Sequence, residues 1–178
     1  MRIYIFIIAA GILFFLSGCA GIKPVIAERS AIKHDPVHFF VGHTSSSGVV
    51  ENRGGKPKIR ITTKTEGIMK DGVLHLEQDL FPEGGKANHR SWKLRRVDDH
   101  HLNATANDIV GTAQGLLNGN EFSWSFRRKL PNRKFIKHVR MSQNMYLMPD
   151  GQTMIVRSVL RKFGFVVAQI TEQFRKTD

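Results

Sequence analysis

The sequence predicts an all-β, antiparallel domain, and three observations carry that prediction. Short runs with a two-residue alternation of apolar and polar side chains recur along the chain, separated by turn signals at roughly 8–12-residue spacing, the rhythm of sandwiches and barrels. No amphipathic stretch is long enough for a helix of three turns. The links between runs are short, which favours hairpins between sequence neighbours over crossovers. About eight to ten strands follow, and a meander of that size can close into a lipocalin-like (calycin-like) barrel.

The runs are taken in order. Residues 58–65 place Ile59, Ile61, Thr63 and Thr65 on one face, with Lys58, Arg60 and Lys64 on the other. Lys70-Asp71-Gly72 follows, and Asp-Gly is a strong hairpin signal. Leu74, Leu76 and Leu80 share a face of the next strand, with Gln78 between them. Residues 90–97 put Trp92 and Leu94 together, and Asp98-Asp99-His100 turns the chain into 101–106. The strongest alternation is 121–130: Phe122, Trp124 and Phe126 face one way, and Glu121, Ser123, Ser125 and Arg127 the other. Pro149-Asp150-Gly151 leads into a strand at 152–160, and 165–174 is the last strand. Residues 161–164 between them read as a short helical turn.

The stretch NDIVGTAQGLLNGNEFSW, residues 107–124, needs separate treatment because its glycines fall at every fourth position. It has neither the GxxxxGK[ST] of a P-loop nor the GxGxxG of a dinucleotide turn, and no Lys or Arg to meet a phosphate. A GxxxG helix face needs a long apolar helix, whereas this segment runs into an alternating strand. A hairpin turned at Asn118-Gly119 fits best. Gly111, Ala113 and Gly115 then alternate and leave one face nearly bare, either covered by an indole (Trp92 or Trp124), or permitting tight barrel curvature, or forming the floor of a ligand cleft.

The N-terminus indicates export. Arg2 precedes a continuous apolar run at 3–16, then Leu16-Ser17-Gly18-Cys19. A basic start, an apolar stretch and small residues at the cut describe a signal peptide. This cut resembles a lipobox, in which the Cys thiol accepts a diacylglyceryl group. The alternative is an uncleaved anchor, since residues 3–22 could span a bilayer. The lipobox is preferred because its small residues stand where cleavage requires them and Cys19 is the only cysteine. Residues 1–18 are therefore expected to be a lipoprotein signal peptide, 19–36 a lipidated tether containing Pro24 and Pro36, and 37–178 a single barrel-like domain. Ala20 after the Cys favours the outer membrane, facing the periplasm, by resemblance to enterobacterial sorting. A single cysteine allows no internal disulfide, and if Cys19 is acylated no free thiol remains for cysteine catalysis.

The net charge is +12 over 178 residues. In the envelope such charge faces acidic lipid rather than nucleic acid. Arg127, Arg128, Lys129, Arg133 and Lys134 are the candidate contacts with an anionic surface; a merely solvated hairpin tip is the alternative. The sequence has no GxSxG nucleophile elbow and no HExxH. His100 and His101 are adjacent and would point to opposite faces of a strand, a poor metal spacing. No cofactor or metal site is expected.

Several local strings together resemble one family. They are Trp92-x-Leu94, Asp98-Asp99-His100, the run 106–115, Gly119-Asn120 with Trp124, Met145-Tyr146-Leu147-Met148, Lys162-Phe163-Gly164 and Phe174-Arg175-Lys176. Their order and spacing resemble the proteobacterial lipoproteins catalogued as domain of unknown function 3833, over residues 35–176. Residues 45–57 match less well. The resemblance implies an envelope lipoprotein with a β-rich, lipocalin-like fold, and no activity.

Trp92, Asp108, Gly111, Gly115, Trp124 and Tyr146 are the candidate ligand-binding residues. Asp108 heads the glycine hairpin, where it binds its own turn or pairs with Arg90 or Arg96. The reading that follows is a non-enzymatic lipoprotein that binds a lipid-like, amphipathic molecule; the alternatives are an assembly lipoprotein contacting other envelope components, or an enzyme acting on lipid or glycan.

Overall fold

The computed structural model describes residues 35–130 and 137–177. They form ten strands: β1 (Gly42–Asn52), β2 (Pro57–Lys70), β3 (Val73–Pro82), β4 (Asn88–Arg96), β5 (His101–Ala106), β6 (Ile109–Asn118), β7 (Glu121–Lys129), β8 (His138–Leu147), β9 (Thr153–Lys162) and β10 (Phe165–Lys176). Each strand pairs antiparallel with its sequence neighbours, and β1 also pairs with β10, from Thr44 opposite Lys176 to Asn52 opposite Ala168. The fold is therefore all-β and antiparallel, a closed lipocalin-like (calycin-like) barrel.

Alternation fills the interior. Ile61, Thr63 and Thr65 point inward from β2, Trp92 and Leu94 from β4, and Phe122, Trp124 and Phe126 from β7. Ile59 continues the inward row of β2 but reaches the rim and is exposed. Two strands are not evident in the sequence. β1 contains Ser45-Ser46-Ser47-Gly48 and shows no apolar alternation, and in β8 the polar run Ser142, Gln143 and Asn144 interrupts the alternation of Val139 and Met141 with Met145 and Leu147. The helical turn expected at 161–164 is instead a hairpin tip. Lys162 pairs with Phe165, and Phe163 and Gly164 between them take φ of 50° and 84°. Two positive φ angles give the primed turn that matches strand twist.

The segment before β1 closes one end of the barrel. It contains a 3₁₀ turn at His38–Phe40 that buries Phe39 and Phe40. The Phe40 ring meets Phe174 edge-on at 5.7 Å. Arg96 pairs with Asp35 at 2.7 Å, and the Lys176 ammonium donates to the Val41 carbonyl. Asp35 and Pro36, assigned to the tether from sequence, thus belong to the barrel. The remainder of the tether, the signal segment and Cys19 lie outside the described residues, as do Arg133 and Lys134. The opposite end carries the β1–β2, β3–β4, β5–β6, β7–β8 and β9–β10 connections.

Gly67 of β2 permits the closure. A Cβ there would lie 1.7 Å from the Phe40 carbonyl oxygen. Since backbone cannot yield cheaply, Gly67→Ala is expected to lift the 3₁₀ turn off β2 at a cost of about 1–3 kcal/mol, as overpacked sites show. Thermal denaturation checks this, and a variant as stable as the native protein would refute the contact.

Candidate functional site: an amphipathic cavity in the barrel

An internal cavity of about 80 Å³ lies along the barrel axis. Its wall is mostly apolar, with Met141, Met145, Val156 and Ile170 beside an aromatic cluster. Trp92 and Trp124 stack at 4.6 Å with 25° between planes, and Phe126 stands edge-on to both. Each indole N–H is anchored in the wall: Trp92 Nε1 donates to Gln78 Oε1 at 3.1 Å, and Trp124 Nε1 to Gln143 Oε1 at 2.8 Å. Gln143 in turn donates to Ser158 Oγ at 2.8 Å. These bonds hold the rings and satisfy polar groups that would be costly to bury alone.

Two buried ionisable side chains reach the same cavity. Arg90 is 5% exposed and Glu172 8%. Arg90 donates through Nε and Nη2 to Asp108 Oδ2 at 3.0 and 2.7 Å, and Arg128 Nε donates to the same oxygen at 2.8 Å. The reason lies in the short β5. Its pairing with β4 ends at Ala106 opposite Trp92, so Arg90 extends beyond it. The turn residue Asp108 fills that position and joins Arg90 of β4 to Arg128 of β7. Burial, then the Arg128 charge, lowers the Arg90 pKa, while Asp108 opposes both. The guanidinium stays charged. No hydrogen bond among the described residues uses Arg90 Nη1.

Glu172 enters from β10 opposite Gly48, where a Cβ would meet its side chain at 2.5 Å. Its Oε1 accepts from Ser46 Oγ at 2.9 Å and Thr63 Oγ1 at 3.2 Å. No hydrogen bond among the described residues uses Oε2. Burial raises the carboxyl pKa above its ordinary value; the two hydroxyls and the Arg90 charge pull the other way. A carboxyl with a raised folded pKa binds its proton more tightly when folded. Its contribution to stability is full below the unfolded value and is lost as pH rises through the folded one. Glu172→Gln keeps an acceptor for both hydroxyls and removes the titration. Its melting temperature is expected to exceed the native one at neutral pH and to vary less as pH rises from about 4.5. Superimposable pH profiles for the two proteins would refute this.

The sequence-predicted residues divide. Trp92 and Trp124 line the cavity, and Asp108 lies just behind it, holding Arg90 rather than Arg96. Gly111 does not share a face with Ala113 and Gly115. A register irregularity between Val110 and Gln114 takes it out of phase, with φ of 72°, to an exposed position on the outer wall. Gly115 faces inward, but Phe122 and Leu102 cover it; a Cβ there would lie 2.4 Å from Phe122 Cε2. Phe122 and Leu102, rather than an indole, lie nearest to it. The turn itself is Gly119-Asn120, one residue later than expected. Tyr146 lies on the outer side of β8, between inward Met145 and Leu147. Of the basic candidates, Arg127 and Lys129 point outward, whereas Arg128 turns inward to Asp108.

Glu172, Gln143 and Arg128 were not singled out as cavity residues, although a signal existed for each. Arg128 continues the inward row of Phe122, Trp124 and Phe126, and Glu172 stands two residues before inward Phe174. Among the described residues no cluster of three His, Cys, Asp or Glu side chains is placed to hold a metal.

Solved structures share the fold. A phycobiliprotein lyase, CPES from Guillardia theta, superposes with a TM-score of 0.59 at 6% identity, covering 80% of this chain and 90% of its own. The protein Rv2717c from M. tuberculosis gives 0.55 at 13% identity, covering 81% and 99%. At such identities the likeness is one of fold. Comparison with curated proteins gives no match. The model of the family described as "Protein of unknown function (DUF3833)" matches residues 13–176, and the chain belongs to that family.

Proposed function

We propose that the barrel binds a slender amphipathic molecule, its apolar body against the tryptophans and methionines and its acceptor group at Arg90. One observation carries this reading. Arg90 and Glu172 are buried in one cavity, each with a polar atom that no described residue pairs. A barrel core serving stability alone gains from replacing buried charges by apolar residues, often by about 1–4 kcal/mol. Keeping both beside a void points to a ligand whose polar end meets them. The fold likeness is consistent with such binding. The void is smaller than the usual few hundred Å³ of a small-molecule site. Pliable Met141 and Met145 supply the room by changing rotamer. The resemblance of the segment before Cys19 to a lipobox supports assigning this activity to a membrane-anchored lipoprotein of the cell envelope, facing the periplasm from the outer membrane.

The chain's two tryptophans both line the cavity, so intrinsic fluorescence reports on it directly. Titration with decanoate below its micelle concentration is expected to give a saturable change. Val156→Phe, which fills the void, is expected to abolish it. A flat titration of the native protein, or an unchanged one in the variant, overturns the proposal.

A further inference from the structure

Outside the barrel, β7, β8 and β9 carry a ladder of like charges. Arg127 stands in register with Arg140, and Arg140 with Arg161. Alternation sets all three on the outer surface, in one groove with His138 and Lys162 that no carboxylate lines. Like charges directly opposite on neighbouring strands repel and destabilise a sheet. Among the described residues the arginine ion pairs are those of Arg60, Arg90, Arg96 and Arg128, so the ladder has no internal counter-charge. The sequence between Glu121 and Asp150 contains no acid at all.

The β9–β10 tip borders this groove. Phe163 is 85% exposed, Phe165 68% and Val167 45%. Phe163 takes φ of 50°, a strained conformation for a bulky residue, and its ring lies 4.6 Å from the Lys162 ammonium. Backbone strain that displays an aromatic ring to solvent calls for a functional explanation. We infer that this side of the barrel seats on an anionic bilayer, with the arginine ladder against lipid phosphates and the Phe163 tip in the interface. A soluble phosphate would satisfy the arginines but leave Phe163, Phe165 and Val167 in water. A bilayer surface meets both needs, supplying continuous negative charge beside an apolar layer.

The chain enters at the plugged end, away from this tip. From Cys19 to Asp35 there are 16 residue steps. At about 3.4 Å each they reach up to about 55 Å, against about 33 Å for a ten-residue strand. Anchoring at Cys19 is therefore compatible with this orientation. The inference does not depend on the cavity.

The test uses the full chain with Cys19→Ser and Phe163→Cys, so that an environment-sensitive fluorophore labels the tip alone. A matching label at Ile68→Cys, exposed on β2 near the plugged end, is the control. Apolar N-terminal residues can bring the protein to any vesicle, but only a seated tip alters the probe at 163. Phosphatidylglycerol-containing vesicles are expected to blue-shift it, while pure phosphatidylcholine vesicles and the control label give no shift. Replacing Arg127, Arg140 and Arg161 together by Gln is expected to raise the vesicle concentration required about 100-fold, at about 1 kcal/mol per charge. The same variant is expected to melt no lower than its parent in vesicle-free buffer, because repulsion is relieved. No shift at 163, an equal shift with neutral vesicles, an undiminished response in the triple variant or a lower melting point for it overturns the inference.

Discussion

Asp108→Asn is expected to destabilise the barrel by about 3 kcal/mol, the lower end of the loss seen when one partner of a buried ion pair is removed, because Arg90 is buried while the Asp108 side chain is 21% exposed. The carboxylate oxygen Oδ2 holds three N–H groups from two arginines. A neutral amide leaves Arg90 and Arg128 facing each other with their charge uncompensated. The other oxygen, Oδ1, is buried without a partner, so the amide nitrogen that replaces one oxygen meets a site with no acceptor in place. For a chain of this length the melting temperature is expected to fall by about 10 °C. Asp98→Asn, at an exposed turn that caps His100 and His101, serves as the surface comparison and should move far less. Replacing Arg90 by Met and Asp108 by Leu together is expected to recover much of the loss. A deficit below about 1 kcal/mol for Asp108→Asn would mean that the carboxylate is not the link between β4 and β7.

Trp124→Ala is expected to cost about 3–5 kcal/mol, the range for removing a buried aromatic. It takes away the stacking partner of Trp92 and the edge contact with Phe126, and leaves Gln143 Oε1 without its donor. The barrel wall is continuous around the site, so the space does not collapse easily. Added indole is therefore expected to raise the melting temperature of the variant and leave the native protein unaffected, as apolar cavities accept matching small molecules. A loss that indole does not reverse at any concentration would show that the wall closes over the gap. Trp124→Phe keeps the stacking but loses the N–H, and falls between the two.

Much of the interior was legible in the sequence because alternation is a local signal. Trp92, Trp124 and the Arg90 row follow from a period of two. The same rule places Arg128 and Glu172 inside, yet charged residues are ordinarily outside, and the stronger expectation hides them. Gly111 shows the opposite failure: four steps of β6 from Val110 to Gln114 oppose only two of β7, and this irregularity pushes Gly111 out of the inward row of Ile109, Ala113 and Gly115, which sequence spacing does not record. Tyr146 stood out as part of a family string, which carries no information about which way a side chain points. Closure is not local at all. The pairing of Thr44 with Lys176 joins residues over a hundred positions apart, and the serine-rich β1 shows little of the apolar pattern that marks its partners. The plug over β2 depends on Gly67, a glycine that looks ordinary until Phe40 is seen against it.

The join of β1 to β10 also limits the company this domain can keep. Open sheets offer rows of unpaired amides and carbonyls that another chain can extend, and many recognition modules recruit peptides that way. Here the first and last strands occupy each other along nine consecutive registers. Any protein that recognises the barrel must therefore read its side chains, at the rim or across the arginine face. An extended peptide chosen to add a strand should gain nothing, and exchange of terminal strands between copies requires first parting β1 from β10.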